Sequence, residues 1–309
     1  DLPEDAGGVA GRYLLRYQGN GTLAVSGRAE VVEASPGRIL FDFTPGEGAV
    51  VLTLSAMDEA DPIRDIVVVR AARAEALAAG ALFNPDWLAR LRGAKGLRFV
   101  DWMATNSTTL ATAADRPLPG DYSYARNGVP VEVMLALANE LHANPWFTLP
   151  HLGDDGLVRT YAQFVQGGLD AGLTASVEFS NEVWNPNLPQ GQWAKAQAKA
   201  RWGQDGTGIQ YYGLRAAQVA AIWAEVFKDN PARLMRVVAT QTGWPGLEVQ
   251  ILDAPLGVAE GAPPGASFDA YAVSGAFSGM LGAEDQRAMV KGWLRQSETA
   301  AQVQIAAAG

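Results

Sequence analysis

The chain has 309 residues, enough to bury a large core in one or two domains. Its net charge of -9, with lysine and arginine dispersed, argues against nucleic-acid binding, which requires clustered cations. Cysteine is absent and only two histidines occur, which excludes disulfides and thiolate nucleophiles and disfavours a histidine-rich metal centre. We therefore expect neither a metal nor a cofactor.

The first segment, residues 1–65, is rich in short alternating apolar runs. Turn signals such as Gly-Asn-Gly, Ser-Pro-Gly and Pro-Gly-Glu-Gly separate these runs at the spacing of antiparallel strands. The pattern predicts a small β-sandwich or β-sheet. Because independent sandwiches usually run to roughly 100 residues, we expect this segment either to lack strands at its start or to depend on the residues that follow.

Residues 66–309 show a second pattern, in which apolar strands alternate with amphipathic helices. This alternation implies parallel strands joined by helical crossovers. Glycine-rich nucleotide-binding motifs are absent from the sequence, and polar residues gather where several strands end, as at the mouth of a barrel. The predicted fold class is α/β, a TIM-type (β/α) barrel, with strands beginning at Ile66, Leu97, Pro145, Ala175, Leu234 and Phe268.

Residues 177–185 read Val-Glu-Phe-Ser-Asn-Glu-Val-Trp-Asn. This segment resembles the fourth strand of clan A glycoside hydrolases, in which an asparagine precedes the acid/base glutamate. Residues 97–102 resemble the second strand of that clan, and residues 148–151 resemble the third. The resemblance covers residues 66–278 and extends to bacterial proteins described as cellulase-like or cellulose-binding. It implies a (β/α)8 barrel, hydrolysis of a β-linked polysaccharide such as a β-glucan, and Glu182 as the general acid/base.

The chemistry of glycoside hydrolysis agrees with this reading of the segment. A carboxylic acid that protonates the leaving oxygen keeps its proton near neutral pH through partial burial, and Glu182 follows an apolar strand. Asn181 would donate a hydrogen bond to the sugar 2-hydroxyl. Trp184, Trp102 and Trp244 would stack on pyranose rings, although each is equally compatible with packing in the core or a loop.

Four further side chains near predicted strand ends are candidate sugar contacts. His151 opens a loop after a strand and is either a ligand contact or a buried structural histidine. Asp101 is the nearest competitor as a second functional carboxylate, and we expect Arg98 to pair with a carboxylate in the mouth. Asn106 would bind sugar hydroxyls, but a role as a turn residue is favoured.

Three acidic residues are given structural roles. Glu178 precedes Glu182 by four positions, which on a straight strand separates the two side chains by about 13 Å. That distance is too long for a catalytic pair, so we expect Glu178 to be a hydrogen-bonded structural residue. Asp154 and Asp155 are expected to lie in a solvated loop or to cap a helix, rather than to bind a metal.

The second carboxylate of the mechanism is missing from the predicted strands. A retaining glycosidase needs one about 5 Å from the acid, and in clan A it ends the seventh strand. Here Glu284 and Glu298 lie in a helical stretch instead. We therefore expect the chain to continue beyond Gly309, with a retaining mechanism if a glutamate ends a later strand. The alternative is that the protein departs from the clan and uses Asp101 or a loop carboxylate.

The cellular location is predicted from the presumed substrate. The first residues are acidic and polar rather than those of a signal peptide, so the sequence is expected to be a mature or trimmed form. No apolar run approaches the ~20 residues of a membrane span. A polysaccharide or oligosaccharide partner then predicts a secreted or periplasmic bacterial protein.

Two alternatives to an enzyme remain open. The first is a non-catalytic carbohydrate-binding protein on a hydrolase-like scaffold, favoured by the missing carboxylate. The second is a structural protein associated with exopolysaccharide that has no affinity for free sugars.

Overall fold

The computed structural model describes residues 2–259, 261–273, 283–293 and 295. The chain divides into two compact units, residues 1–88 and 89–309, whereas the sequence pattern changes at residue 66. Within the described ranges, none of the helices combines the length and apolar character needed to cross a bilayer.

The first unit is a small two-layer β structure. Its four-stranded antiparallel sheet has the order β3-β4-β1-β6, and β2 and β5 form a separate antiparallel pair. The core joins Leu23 and Val25 of β2 to Leu15, Ile39 and Phe41 of the larger sheet. The elements are β1 (Gly11–Gln18), β2 (Thr22–Gly27), β3 (Ala29–Ser35), β4 (Arg38–Phe43), β5 (Val50–Ser55), β6 (Arg64–Arg70) and the helix α1 (Ala74–Ala78), and the helix α2 covers Pro85–Leu91.

The strand at Ile66, expected to open the barrel, belongs to this first unit. It lies in β6, which pairs antiparallel with β1 so that Val68 faces Leu15. Val68 has the same strand parity as the core residue Leu15, whereas Val67 and Val69 have the opposite parity. β6 lies at the end of the strand order of its sheet, so this run of β-branched residues forms an antiparallel edge strand.

The second unit contains a five-stranded sheet in which every neighbouring pair is parallel. The strand order follows the chain order, and these are five of the six predicted strands. The prediction of a TIM barrel is nevertheless wrong, because the described residues form half of a barrel-like sheet and no closed eight-stranded barrel. The strands are β7 (Gly96–Arg98), β8 (Asn144–Leu149), β9 (Ala175–Phe179), β10 (Leu234–Thr240) and β11 (Ala270–Val273).

The helices that connect the parallel strands lie on one face of the sheet. Right-handed crossovers between adjacent parallel strands place every connecting helix on the same side, and α3 contacts α4, which contacts α6. Phe147 and Phe179 point to that side, with ring centroids 6.1 Å from Trp223 and 6.3 Å from Tyr212 of α6. The helices are α3 (Val131–Leu141), α4 (Asp155–Gly168), α5 (Pro189–Trp202), α6 (Gly208–Val226), α7 (Leu247–Leu252), α8 (Pro255–Val258) and α9 (Arg287–Trp293).

Local sequence signals explain where these helices begin and end. The Asp154 carboxylate accepts a hydrogen bond from the Leu157 backbone N–H at 2.7 Å, so of the two roles expected for it, solvated loop or helix cap, Asp154 is the N-cap of α4. His142 ends α3 in the left-handed conformation, with φ of 50°. Pro189 occupies the first turn of α5, where its missing N–H costs nothing.

Strand alternation leaves a second face for polar residues. Because Phe147 and Phe179 face the helices, their neighbours Trp146 and Glu178 point to the opposite side of the sheet. Arg98 lies beside Trp146 in the ladder and shares that face. The candidate site is built on this open face.

Candidate functional site

A pocket of about 340 Å³ lies over the open face of the parallel sheet. Its size is within the usual range for small-ligand sites. Its walls come from all five strands of the sheet and from the segment that follows β9, and they are formed by Arg98, Trp146, Glu178, Asn181, Glu182, Trp184, Ala239, Thr240, Ala272 and Val273. Four predicted residues, Glu182, Asn181, Trp184 and Arg98, are thus brought together.

The floor of the pocket holds a buried ion pair. Arg98 Nη2 donates to Glu178 Oε2 at 2.9 Å and Nε donates to the same oxygen at 3.2 Å. The Glu178 side chain is 1% exposed, whereas that of Arg98 is 34% exposed. Burial raises the pKa of Glu178, and the adjacent Arg98 charge and its hydrogen bonds oppose that rise. The Arg98 guanidinium also lies 5.2 Å from the ring centre of Trp146.

A chain of hydrogen bonds fixes the orientation of Asn181. Arg98 Nη2 donates to Asn181 Oδ1 at 3.0 Å, and Asn181 Nδ2 donates to Asn106 Oδ1 at 3.0 Å. Since arginine has only donors, it selects the oxygen of the Asn181 amide and leaves the nitrogen for Asn106. One of the two Asn181 N–H groups is therefore used inside the protein.

Asn106 lies in a short 3-10 turn, Thr105–Ser107, where it accepts the hydrogen bond from Asn181. The turn is held to the sheet by Thr105, whose hydroxyl lies 2.7 Å from Thr148 Oγ1. Asn106 does not line the pocket, and its contacts agree with the favoured interpretation of a turn residue.

Glu182 is presented by an unusual turn directly after β9. Ser180 and Glu182 have φ of 61° and 45°, in the left-handed region that non-glycine residues rarely adopt. Such residues cost about 1–3 kcal/mol each and persist only where their surroundings hold them. The side chain of Asn185 donates from Nδ2 to Glu182 Oε2 at 3.1 Å, and the backbone N–H of Asn185 donates to the Glu182 carbonyl oxygen at 2.9 Å. The turn therefore directs the carboxylate to the pocket wall.

The start of α5 supports this turn from behind. A Cβ atom at Gly191 would lie 2.1 Å from the Asn185 carbonyl oxygen, so only glycine permits the observed approach. Gln190 beside it is fully buried and donates from Nε2 to the Asn181 carbonyl oxygen at 2.7 Å and to Asn106 Oδ1 at 2.8 Å. Sequence reasoning missed Gln190, for which the only signal is its place after Pro189 at a helix start.

His151 does not line the pocket. It is 4% exposed and its ring meets the edge of Trp193 with centroids 5.6 Å apart. Burial lowers its pKa from 6.5 to about 4, so the imidazole is neutral at pH 7. These surroundings agree with the structural alternative raised for this residue.

Asp101, Trp102 and Trp244 also lie outside the pocket wall. Asp101 is exposed in the turns after β7, and Trp102 is half-buried with its ring centre 5.6 Å from that of Phe99. Trp244 is 48% exposed in the segment after β10. Tyr271 lies on β11 and is 42% exposed, while Glu298 falls outside the described residues.

Comparisons with protein-family models, with curated proteins and with solved structures give no significant match. The resemblance to clan A glycoside hydrolases therefore stays a prediction made from residues 66–278. In the part of the chain that the structure describes, no three acidic or histidine side chains are grouped as metal ligands.

The pocket combines three chemical features. Glu178 and Glu182 both line the pocket, Glu178 from β9 and Glu182 from the turn that follows it, where Ser180 and Glu182 have positive φ. Trp184 is half-buried, with its ring centre 6.2 Å from that of Tyr212. The arrangement offers an aromatic wall, hydrogen-bonding groups and one carboxylate, Glu182, that has no ion pair among the described residues.

Proposed function

We propose that the second unit hydrolyses a β-linked polysaccharide, with Glu182 as the general acid/base. The observation that carries the proposal is the position of Glu182, on a strained turn at the wall of a pocket that also contains Trp184. Flat aromatic faces suit pyranose rings, and a half-buried carboxylic acid suits protonation of a leaving oxygen.

The remaining pocket residues support a neutral sugar as the ligand. Arg98 is neutralised by Glu178, so the floor offers hydrogen bonding without a free cation for an anionic substrate. Asn181 has one amide N–H bound to Asn106 and retains the second for a hydroxyl. A polysaccharide is not taken up intact, so the proposal includes action outside the cytoplasm.

The test is the Glu182→Gln variant, assayed by release of reducing ends from β-glucan and β-mannan. Glutamine keeps the size of the side chain and can accept the Asn185 hydrogen bond, but it cannot transfer the proton. We expect turnover to fall by about 10²–10⁴-fold, the usual contribution of a general acid. The matched control is Glu140→Gln, an exposed residue at the end of α3 that should leave turnover unchanged. Equal rates for the wild type and Glu182→Gln would remove Glu182 from the mechanism.

A second candidate function is sugar binding without hydrolysis. It is favoured by the ion pair of Glu178, which leaves Glu182 as the only carboxylate of the described pocket wall without a cation partner. Titration calorimetry with cellohexaose and mannohexaose separates the two functions. Binding without product after long incubation supports this second candidate, and product that disappears in Glu182→Gln supports hydrolysis.

A further inference from the structure

We infer that Gln190 is a positioning residue for Glu182, acting through the peptide bond that joins Asn181 to Glu182. The inference rests on the proposed function, because it assigns the side chain that holds the proposed acid in place. Gln190 lies outside the pocket wall and is fully buried, so it is not itself a ligand contact.

The hydrogen bonds of Gln190 have only one chemically consistent arrangement. The Asn181 backbone oxygen is an acceptor, and Asn106 Oδ1 already accepts from Asn181 Nδ2. Both atoms can only accept hydrogen bonds, so the group that contacts them must be a donor. The two N–H groups of Gln190 Nε2 donate to them at 2.7 and 2.8 Å. The Gln190 Oε1 atom has no partner among the described residues, so the side chain acts through its donors.

The strained backbone explains why a donor is needed at this position. Ser180 and Glu182 both have positive φ values, and Asn181 lies between them. The Asn181 side chain is held by Arg98 and Asn106, and Gln190 holds its carbonyl oxygen. With that oxygen released, the peptide bond is free to rotate toward a relaxed conformation, which would turn Glu182 away from the pocket.

The close contact between α5 and the turn adds independent support. Gly191 approaches the Asn185 carbonyl too closely for any side chain, and Asn185 in turn donates to Glu182 Oε2. The first residues of α5 thus contact the turn on both sides of Glu182, through Gln190 before it and Gly191 after it.

The test is the pH dependence of the Gln190→Glu variant. The introduced carboxyl would face two oxygen acceptors in a buried site, so we expect its pKa to rise. The carboxylate would repel both oxygens, whereas the protonated acid would donate one hydrogen bond. We expect turnover of β-glucan or β-mannan to fall by about 10²-fold at pH 8, the size expected for a misplaced catalytic group, and to recover at least tenfold relative to the wild type near pH 5.

Two further variants make the test decisive. Gln197→Glu, at an exposed position of the same helix, is the matched control and should follow the wild-type pH profile. Gln190→Met keeps the length of the side chain without donors and should lose turnover at every pH, with helical circular dichroism retained. If both Gln190 variants match the wild type, or lose activity only in proportion to lost helical signal, the inference is overturned.

The outcomes also separate this inference from the proposed function. Loss of turnover in Glu182→Gln together with normal turnover in both Gln190 variants overturns the inference and leaves the function intact. A wild-type protein that hydrolyses neither polysaccharide overturns both.

Discussion

The two faces of the parallel sheet differ in what their residues do. On β8 and β9, Phe147 and Phe179 pack against α6, whereas their neighbours Trp146 and Glu178 line the pocket. On these two strands one face is packed against the helices, and the other holds an ion pair whose carboxylate is 1% exposed and whose guanidinium is 34% exposed. Adjacent positions of one strand therefore belong to the core and to the pocket, so substitutions one residue apart should have separable effects.

The largest effect is expected from Phe147→Ala on the helix-covered face. Phe147 is fully buried, with its ring centre 5.7 Å from that of Phe99. Removing it should lower the free energy of unfolding by about 3–5 kcal/mol through lost burial and a new cavity. Urea unfolding followed by tryptophan fluorescence measures this loss of stability. The signal reports mainly on the second unit, because eight of the nine tryptophans lie there.

The matched control for this substitution is Met235→Ala, on β10 of the same sheet. Met235 is 42% exposed, and exposed positions usually change stability by less than about 0.5 kcal/mol. A similar loss from both variants would contradict the assignment of Phe147 to a close-packed face.

On the open face, Arg98→Leu should lower the free energy of unfolding by about 3 kcal/mol, because it leaves the buried Glu178 carboxylate without its partner. The value is taken at the low end for such pairs since the Arg98 side chain is 34% exposed. Replacing both Arg98 and Glu178 by leucine should restore most of the stability, as apolar pairs often equal buried ion pairs.

The double variant separates the stability of the sheet from the binding of a sugar. It should unfold at nearly the wild-type urea concentration and yet bind no cellohexaose, because Asn181 loses the donor that orients its amide. A double variant that stays as unstable as Arg98→Leu would show that the ion pair itself stabilises the sheet.

A pH-dependent effect, reached gradually rather than by a single substitution, is expected through His151. Its pKa of about 4 in the folded protein lies below the ordinary value of 6.5, so only the unfolded chain takes up a proton between these values. Stability should therefore fall as the pH is lowered from 6.5 to 4, by at most about 1.4 kcal/mol per pH unit. The His151→Leu variant should lack this part of the pH dependence. Subtracting the free energy of unfolding of the variant from that of the wild type at each pH removes the contribution of carboxylates that titrate in the same range.

If that difference is flat between pH 4 and 6.5, His151 is not buried as a neutral ring. A dependence of the opposite sign would indicate that the folded protein stabilises the charged imidazolium.

The sequence predicted where the strands of the second unit lie, but not how many strands form the sheet or whether the sheet closes into a barrel. Five strands lie where alternating apolar runs placed them, and Asp154 caps α4 as expected. The strand at Ile66 was assigned to the wrong sheet because a short β-branched run fits both a buried parallel strand and an antiparallel edge. Alternation of strands and helices also leaves the number of strands and the closure of a barrel undetermined.

The residues of the candidate site that were predictable are those that lie close together in the sequence. Asn181, Glu182 and Trp184 follow one strand, and all three line the pocket. The presence of both Glu178 and Glu182 in one pocket was not predictable, because a straight strand would place them about 13 Å apart and the positive φ of Ser180 is not visible in the sequence. Gln190 was missed since its partners, Asn106 and the Asn181 carbonyl, are brought together only by the fold.

Each strand of the parallel sheet lies beside its immediate predecessor, whereas β1 of the first unit is paired with β4 and β6. Residues that pair in the parallel sheet are nonetheless 30 to 59 positions apart in the sequence, because a helical crossover joins each pair of strands. Pairing over such separations is slow, so we expect the parallel sheet to form later than the β3–β4 pair, whose partners are 3 to 14 positions apart. Arg98 of β7 and Glu178 of β9 are on strands that β8 separates, so the carboxylate gains its cation only once all three strands are assembled.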